Sequence, residues 1–196
     1  MAIEQINILK DLDFTKQLTF AFLTCKRVYP NYVYFTEKFN FGDVNIISES
    51  IDLIYHSIFN PKRIDKQKIE NILNSIYVNT PNTNDFTSFY ATITMYSCGV
   101  VYESVNLLRK TDTDRILRAI STMITDAIDC FIQERDDMDY SEENFEQKIF
   151  NDSLMQTELG IQKGIISYLE KVDHIEQSDI NTLLQLQEIK KSSLII

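Results

Sequence analysis

Apolar residues recur along this chain with the 3.6-residue period of an α-helix. The first stripe places five residues on one helix face: Phe14, Leu18, Ala21, Phe22 and Cys25. Comparable stripes run through residues 47–58, 69–76 and 116–131, and helical patterns continue from about residue 141 or 153 to 171 and over residues 178–191. The pattern predicts an all-α fold, a single compact helical bundle of about seven to nine helices over residues 1–196.

The segment of residues 86–102 carries no charged side chain, so it is expected inside the fold. Its Thr, Ile, Val and Tyr content would also suit two buried strands. A helix is favoured, because no tight turn divides the run.

A dense aromatic segment interrupts the helical pattern. Residues 25–35 read Cys-Lys-Arg-Val-Tyr-Pro-Asn-Tyr-Val-Tyr-Phe, and residues 39–43 read Phe-Asn-Phe-Gly-Asp. Pro30 is expected to open a new short helix, since its missing N–H does no harm in a first turn. Gly42 then supplies a left-handed stop, and Asp43 supplies the N-cap of the next helix.

This segment allows two interpretations, which share the candidate residues Tyr29, Pro30, Asn31, Tyr32, Phe35, Gly42 and Asp43. In the favoured one, the aromatic rings form a corner that is clamped onto the bundle, with each phenol group able to reach water. In the other, the rings form a preformed surface for a protein partner, because tyrosine is common at interfaces.

Composition and charge limit the classes of function that the protein can have. The 44% hydrophobic and 24% charged residues are ordinary for a globular protein, while 4 glycines and 3 prolines are few for a turn-rich β-sandwich. The net charge is −10, and the second half holds 19 acidic against 10 basic residues. Such a field repels phosphate groups, which argues against binding to nucleic acid or to an anionic membrane. A basic protein partner is compatible with it.

The cysteines and the chain start indicate the compartment. Cys25, Cys98 and Cys130 are far apart and lie among apolar residues, so reduced and buried thiols of a cytoplasmic protein are expected. The first residues lack a basic region followed by an apolar core, so no signal peptide is expected. No uncharged run is long enough to span a bilayer.

The sequence contains few of the residue patterns that are typical of catalytic or metal sites. The two histidines lie on different predicted elements, without the spacing of a zinc site or a catalytic triad. Glu103, Asp126 and Asp129 could form a carboxylate metal cluster, although the Glu-x-x-His motif of di-iron bundles is missing. Gly160 and Gly164 stand four residues apart, which suggests close helix packing rather than a phosphate-binding loop. No cofactor is expected.

The aromatic segment also carries a family resemblance. Arg27-Val-Tyr-Pro-Asn-Tyr-Val-Tyr-Phe35 and Phe41-Gly-Asp43 resemble the signature of the YjaG-like family of bacterial proteins, a domain of unknown function. Further matching blocks follow in the same order at residues 18–20, 51–55, 85–86 and 98–103. Tyr55 replaces a typical tryptophan, and Tyr96 replaces a usual acidic residue. The resemblance implies a compact all-helical cytosolic domain with no assigned reaction.

The function is therefore expected to be that of a non-enzymatic cytoplasmic protein that acts through protein–protein association, as a homo-oligomer. One alternative is an acidic immunity or antitoxin-type protein that neutralises a basic partner through residues 134–146. A second alternative is a carboxylate-based metal protein or hydrolase that uses Glu103, Asp126 and Asp129.

Overall fold

The computed structural model describes residues 2–60, 64–141 and 143–190. Within these ranges the chain forms helices and no strand. The helices are α1 (Ala2–Asp11), α2 (Phe14–Phe39), α3 (Val44–Phe59), α4 (Lys66–Val78), α5 (Tyr90–Asn106), α6 (Thr113–Arg135), α7 (Phe145–Asn151), α8 (Ser153–Lys171) and α9 (Gln177–Lys190). Short 3-10 turns at Thr83–Asp85 and Leu107–Arg109 precede and follow α5. The all-α prediction is confirmed, and nine helices in the described ranges agree with the predicted number. Residue 191, the predicted end of the last helix, lies outside those ranges.

Helix α2 is the central element of the bundle. It begins after Asp13, whose side chain accepts a hydrogen bond from the Lys16 amide at 3.0 Å. Every side chain from residue 16 to residue 25 is buried, which requires neighbours on all sides of the helix. Helices α3, α5, α6, α8 and α9 provide them.

Pro30 lies inside α2, so the prediction that it opens a new short helix is wrong. A proline inside a helix frees the carbonyl four residues earlier, here that of Lys26. Lys26 is exposed and Pro30 is half-buried, so the freed carbonyl is on a side of the helix that water reaches. Val28 and Tyr32 are buried on either side of the proline in sequence, and their packing keeps the helix continuous. The helix ends at Asn40, which adopts a left-handed conformation with φ 51°.

The uncharged segment forms helix α5 from Tyr90 onward, as predicted, and Phe86 precedes the helix. Its buried side chains include residues on several sides, because α2, α3, α4 and α6 all pack against it. Gly99 faces Met123 of α6, where an added Cβ would lie 2.8 Å from the Met123 sulfur. This glycine therefore permits a close approach of α5 and α6.

Two apolar clusters form the core. The larger cluster contains side chains from all the described helices except α7. The smaller cluster contains six residues from the helices α5, α6, α7 and α8: Ile93, Ala127, Ile128, Ile132, Ile149 and Met155. Helix α1 contributes the buried Ile6 and Leu9 to the fold. Gly160 and Gly164 are exposed on α8, and nothing lies within 4 Å of an added Cβ. The expectation that they allow close helix packing is therefore wrong.

Candidate functional site

The candidate residues of the aromatic segment divide between the interior and the surface. Asn31, Tyr32 and Phe35 are buried in the bundle. Tyr29 and Pro30 are half-buried on the same helix, whereas Gly42 and Asp43 are exposed in the turn between α2 and α3. The segment is thus the last part of α2 together with the turn that follows it.

A joint between three helices is built around the amide of Asp43. This N–H donates to the Tyr32 hydroxyl at 3.2 Å and to the Asn79 side-chain oxygen at 2.9 Å. Tyr32 belongs to α2, Asp43 caps α3, and Asn79 ends α4. The Asp43 carboxylate in turn accepts a hydrogen bond from the Asn45 amide at 2.9 Å, as an N-cap does. The predicted cap is confirmed.

Gly42 is required by both its backbone and its surroundings. Its φ is +79°, a left-handed conformation that favours glycine. A Cβ at this position would overlap the Tyr32 hydroxyl and lie 3.6 Å from the Asn79 carbonyl oxygen. Burial raises the pKa of Tyr32 to about 12, so its hydroxyl is protonated at neutral pH. The joint therefore combines a neutral phenol with a glycine that leaves room for it.

A phenylalanine cluster (Phe35, Phe39, Phe41 and Phe86) covers the end of α2. Phe35 is fully buried, and its ring centroid lies 4.6 Å from that of Phe39 and 5.0 Å from that of Phe86. Phe41 meets Phe86 edge-on at 5.5 Å. Such arrangements contribute about 0.5–1.5 kcal/mol for each pair beyond the area that they bury. The cluster joins α2 to the chain that enters α5.

A buried polar layer (Arg27, Glu158, Gln162 and Ser121) crosses the bundle at the start of the aromatic segment, to which Arg27 belongs. Arg27 donates to the Glu158 carboxylate at 2.9 Å, and both side chains are almost fully buried, at 5% and 0% exposure. Gln162 donates to the same carboxylate oxygen at 2.9 Å, and the Ser121 hydroxyl donates to Gln162 at 2.6 Å. The layer therefore connects α2, α8 and α6 through their side chains.

Two buried atoms at this layer have no hydrogen-bond partner among the described residues. They are the Arg27 Nε and the Asn31 side-chain oxygen. Asn31 lies one helical turn after Arg27, and its amide donates to the Ser97 hydroxyl of α5 at 3.2 Å. Sequence reasoning included Arg27 and Asn31 in the signature but missed Glu158. The available signal was a pair of polar residues, Glu158 and Gln162, spaced i, i+4 on the apolar stripe of α8.

The thiols are free and mostly buried. Cys25 and Cys98 are buried, and burial raises the pKa of each to about 12. Both are therefore neutral thiols at pH 7, a form with little nucleophilic reactivity. Cys130 is half-buried, and burial together with the neighbouring Asp129 and Asp126 also raises its pKa.

The three carboxylates that were predicted as possible metal ligands, Glu103, Asp126 and Asp129, lie in different surroundings. Glu103 is held by Arg115 through two hydrogen bonds at 2.9 and 3.3 Å and accepts a third from Asn106 at 3.0 Å. Asp129 accepts from Gln133 at 2.6 Å, and Asp126 is exposed. Across the described ranges, no group of three or more His, Cys, Asp and Glu side chains is arranged to hold a metal ion.

The acidic segment of residues 134–146 connects α6 to α7, and residue 142 lies outside the described residues. Arg135 pairs with Asp136 at 2.6 Å and with Asp152, the N-cap of α8, at 2.7 Å. Tyr140 is 80% exposed, and its ring lies 5.1 Å from that of Phe145. The segment thus presents carboxylates and one aromatic ring to solvent.

Comparison with known families identifies the chain as a whole. The family model described as "Protein of unknown function (DUF416)" matches residues 5–195. The chain belongs to the DUF416 family. The expected family, a domain of unknown function, is thereby confirmed, although the YjaG-like name is not part of the matching description. No curated protein matches this DUF416 chain.

The fold of this DUF416 protein is also found in a solved structure. A crystal structure of a DUF416 family protein from Shewanella baltica OS155 is similar, with a TM-score of 0.84 and 23% sequence identity. The similarity covers 97% of this chain and 96% of the other. It shows a common fold for the two chains. Within the described part of this DUF416 chain, none of the helices is both long and apolar enough to cross a membrane.

The first prediction concerns the structural role of Tyr32. Tyr32→Ala should lower the free energy of unfolding by roughly 3–5 kcal/mol, because a large and fully buried ring is removed. Tyr34→Ala is the comparison, since Tyr34 lies two residues away and is only half-buried; its loss should stay below about 2 kcal/mol. Chemical denaturation of both variants measures the difference. A Tyr32→Ala variant that unfolds like the parent but changes its association state would favour the aromatic segment as an interface.

The second prediction concerns the buried ion pair. Arg27→Met should cost roughly 3–5 kcal/mol, because it removes the cation that neutralises the buried Glu158 carboxylate. Arg27→Met combined with Glu158→Leu should recover much of this loss, since no unpaired charge remains. Arg135→Met removes a more exposed arginine and should cost about 1 kcal/mol or less. Equal losses for Arg27→Met and Arg135→Met in denaturant titrations would contradict the role assigned to the polar layer.

Proposed function

We propose that this DUF416 protein acts by protein–protein association without catalysis, and that its partner is a second copy of the same chain. The observation that carries the proposal is a pair of consecutive apolar residues at the end of α4. Tyr77 and Val78 are each 74% exposed. Isolated exposed apolar residues are common on protein surfaces, whereas contiguous apolar patches mark interaction sites, and Tyr77 with Val78 would form the centre of such a patch.

A groove between α3 and α4 supports the choice of a second copy. It has a volume of about 420 Å³ and apolar walls at Ile46, Leu53 and Ile72. Its α3 side carries acidic residues, among them Glu49, and its α4 side carries Lys68. A two-fold contact that placed α3 of one copy against α4 of the other would bring the acidic side to the basic side twice.

The energetics agree with association. Full burial of a large apolar side chain contributes about 1.5–3 kcal/mol, and a two-fold interface buries each residue twice. Tyr77 and Val78 each remain 74% exposed within one chain, so most of this contribution remains available to a partner.

The absence of catalysis in this proposal is supported by the state of the thiols and of the Glu103 carboxylate. Burial keeps the thiols of Cys25 and Cys98 protonated, and Glu103 is engaged by Arg115. The three free cysteines are suited to a reducing compartment. We therefore place the protein in the cytoplasm as part of the proposal.

A second candidate is the binding of a basic protein partner, as an immunity or antitoxin-type protein would do. It is favoured by the exposed Tyr140 within the acidic segment, where Asp136, Asp137 and Asp139 are also exposed. An aromatic anchor surrounded by carboxylates is complementary to a surface that is rich in lysine and arginine.

The third prediction tests the self-association. In size-exclusion chromatography with light scattering, the parent should be a dimer and the double variant Tyr77→Ser with Val78→Ser should be a monomer. The melting temperature of the double variant should change little, because both side chains are exposed. Tyr140→Ser is the matched control, since it removes an equally exposed ring from another surface and should remain a dimer.

Two results would decide against this surface. A parent protein that is monomeric at every accessible concentration would reject the second copy as partner. If the dimer is lost in Tyr140→Ser but kept in the double variant of Tyr77 and Val78, the interface lies in the acidic segment and not at the end of α4.

A further inference from the structure

A cavity at the start of α4, the end away from Tyr77 and Val78, differs in charge from the rest of this acidic protein. It has a volume of about 540 Å³ and lies between the start of α2, the end of α3, the start of α4 and the turn after α5. Volumes of this size are typical of sites for small molecules. The cavity is separate from the groove between α3 and α4 described above.

Apolar side chains, here called the floor, and basic side chains line the cavity. Phe14, Ile64, Ile69 and Leu108 provide apolar side chains. Among the described residues, three cationic ones line the same cavity: Lys66, Arg109 and Lys110. Glu70 is the acidic residue of this described lining, and it pairs with Arg109. The lining therefore carries an excess of positive charge in a chain whose net charge is −10.

The backbone positions one of these cations over the apolar floor. Lys110 adopts a left-handed conformation with φ 57°, and its amide closes the turn by donating to the Leu107 carbonyl at 3.0 Å. Its ammonium nitrogen lies 4.3 Å from the centre of the Phe14 ring. A positive charge is thus held at the edge of an apolar surface, which is the arrangement that recognises a molecule with one charged end.

We propose that this cavity binds a small organic anion that has an apolar body and a terminal carboxylate or phosphate. The apolar body would occupy the part of the floor formed by Ile64, Ile69 and Leu108, beside the Phe14 ring that the Lys110 ammonium covers. The anionic group would lie between Lys66 and Lys110, while Arg109 remains paired with Glu70. An uncharged molecule of the same shape lacks the ionic attraction to the two lysine ammonium groups, and a cationic one is repelled by them.

The fourth prediction is a binding experiment with defined probes. Isothermal titration calorimetry with octanoate and with octyl phosphate should detect saturable binding, and the stronger of the two identifies the preferred anionic group. Octan-1-ol and octylammonium should bind at least about tenfold more weakly, because the alcohol has no negative charge to pair with the lysines and the ammonium is repelled by them. Inorganic phosphate alone should bind weakly for want of an apolar body.

Substitutions locate the site. Lys66→Gln and Lys110→Asn should each weaken octanoate binding by about tenfold. Asparagine is chosen at position 110 because it tolerates the left-handed backbone. Lys163→Gln removes an exposed lysine of α8 and should leave binding unchanged. The absence of octanoate and octyl phosphate binding would overturn the proposal, as would equal affinity for octan-1-ol or equal effects of Lys163→Gln and Lys110→Asn.

Discussion

The architecture of this DUF416 protein depends on how one backbone amide is bound. The N–H of Asp43 donates to both the Tyr32 hydroxyl and the Asn79 side chain, so the end of α2, the start of α3 and the end of α4 meet at one point. Gly42 makes this possible, because any larger residue would occupy the space of the Tyr32 hydroxyl. The direction in which α3 leaves α2 is thereby fixed. The groove between α3 and α4 follows from that direction.

The buried polar layer adds a second constraint at Arg27, earlier in α2 than Tyr32. The Arg27 and Glu158 charges are desolvated, so they are tolerated only while α2 and α8 keep them in contact. Apolar packing alone would allow small shifts of one helix along another, whereas a buried ion pair penalises them. Asn31, Tyr32 and Phe35 of the aromatic segment thus lie in the interior of the protein. Exposed side chains elsewhere, such as Tyr77 and Val78, are left as the proposed means of association.

Much of this arrangement follows from local sequence patterns, and some of it does not. The Ile stripe of α3 and the Asp43 cap are local signals, so both were predictable. Pro30 was misjudged because its tolerance depends on which side of α2 faces solvent, a property of the whole bundle. Helix α1 was missed because ten residues with buried Ile6 and Leu9 give a short pattern. The partner of Arg27 stands 131 residues away, and no local pattern indicates such a contact.

A double-mutant cycle between Tyr32 and Gly42 tests the central claim most directly. Four proteins are compared by their free energies of unfolding: the parent, Tyr32→Phe, Gly42→Ala and the double variant. If the hydroxyl is what excludes a Cβ at position 42, its removal makes room for the alanine. The double variant should then be more stable than the sum of the single losses implies, by about 1–3 kcal/mol. Losses that add to within about 0.5 kcal/mol would contradict the account.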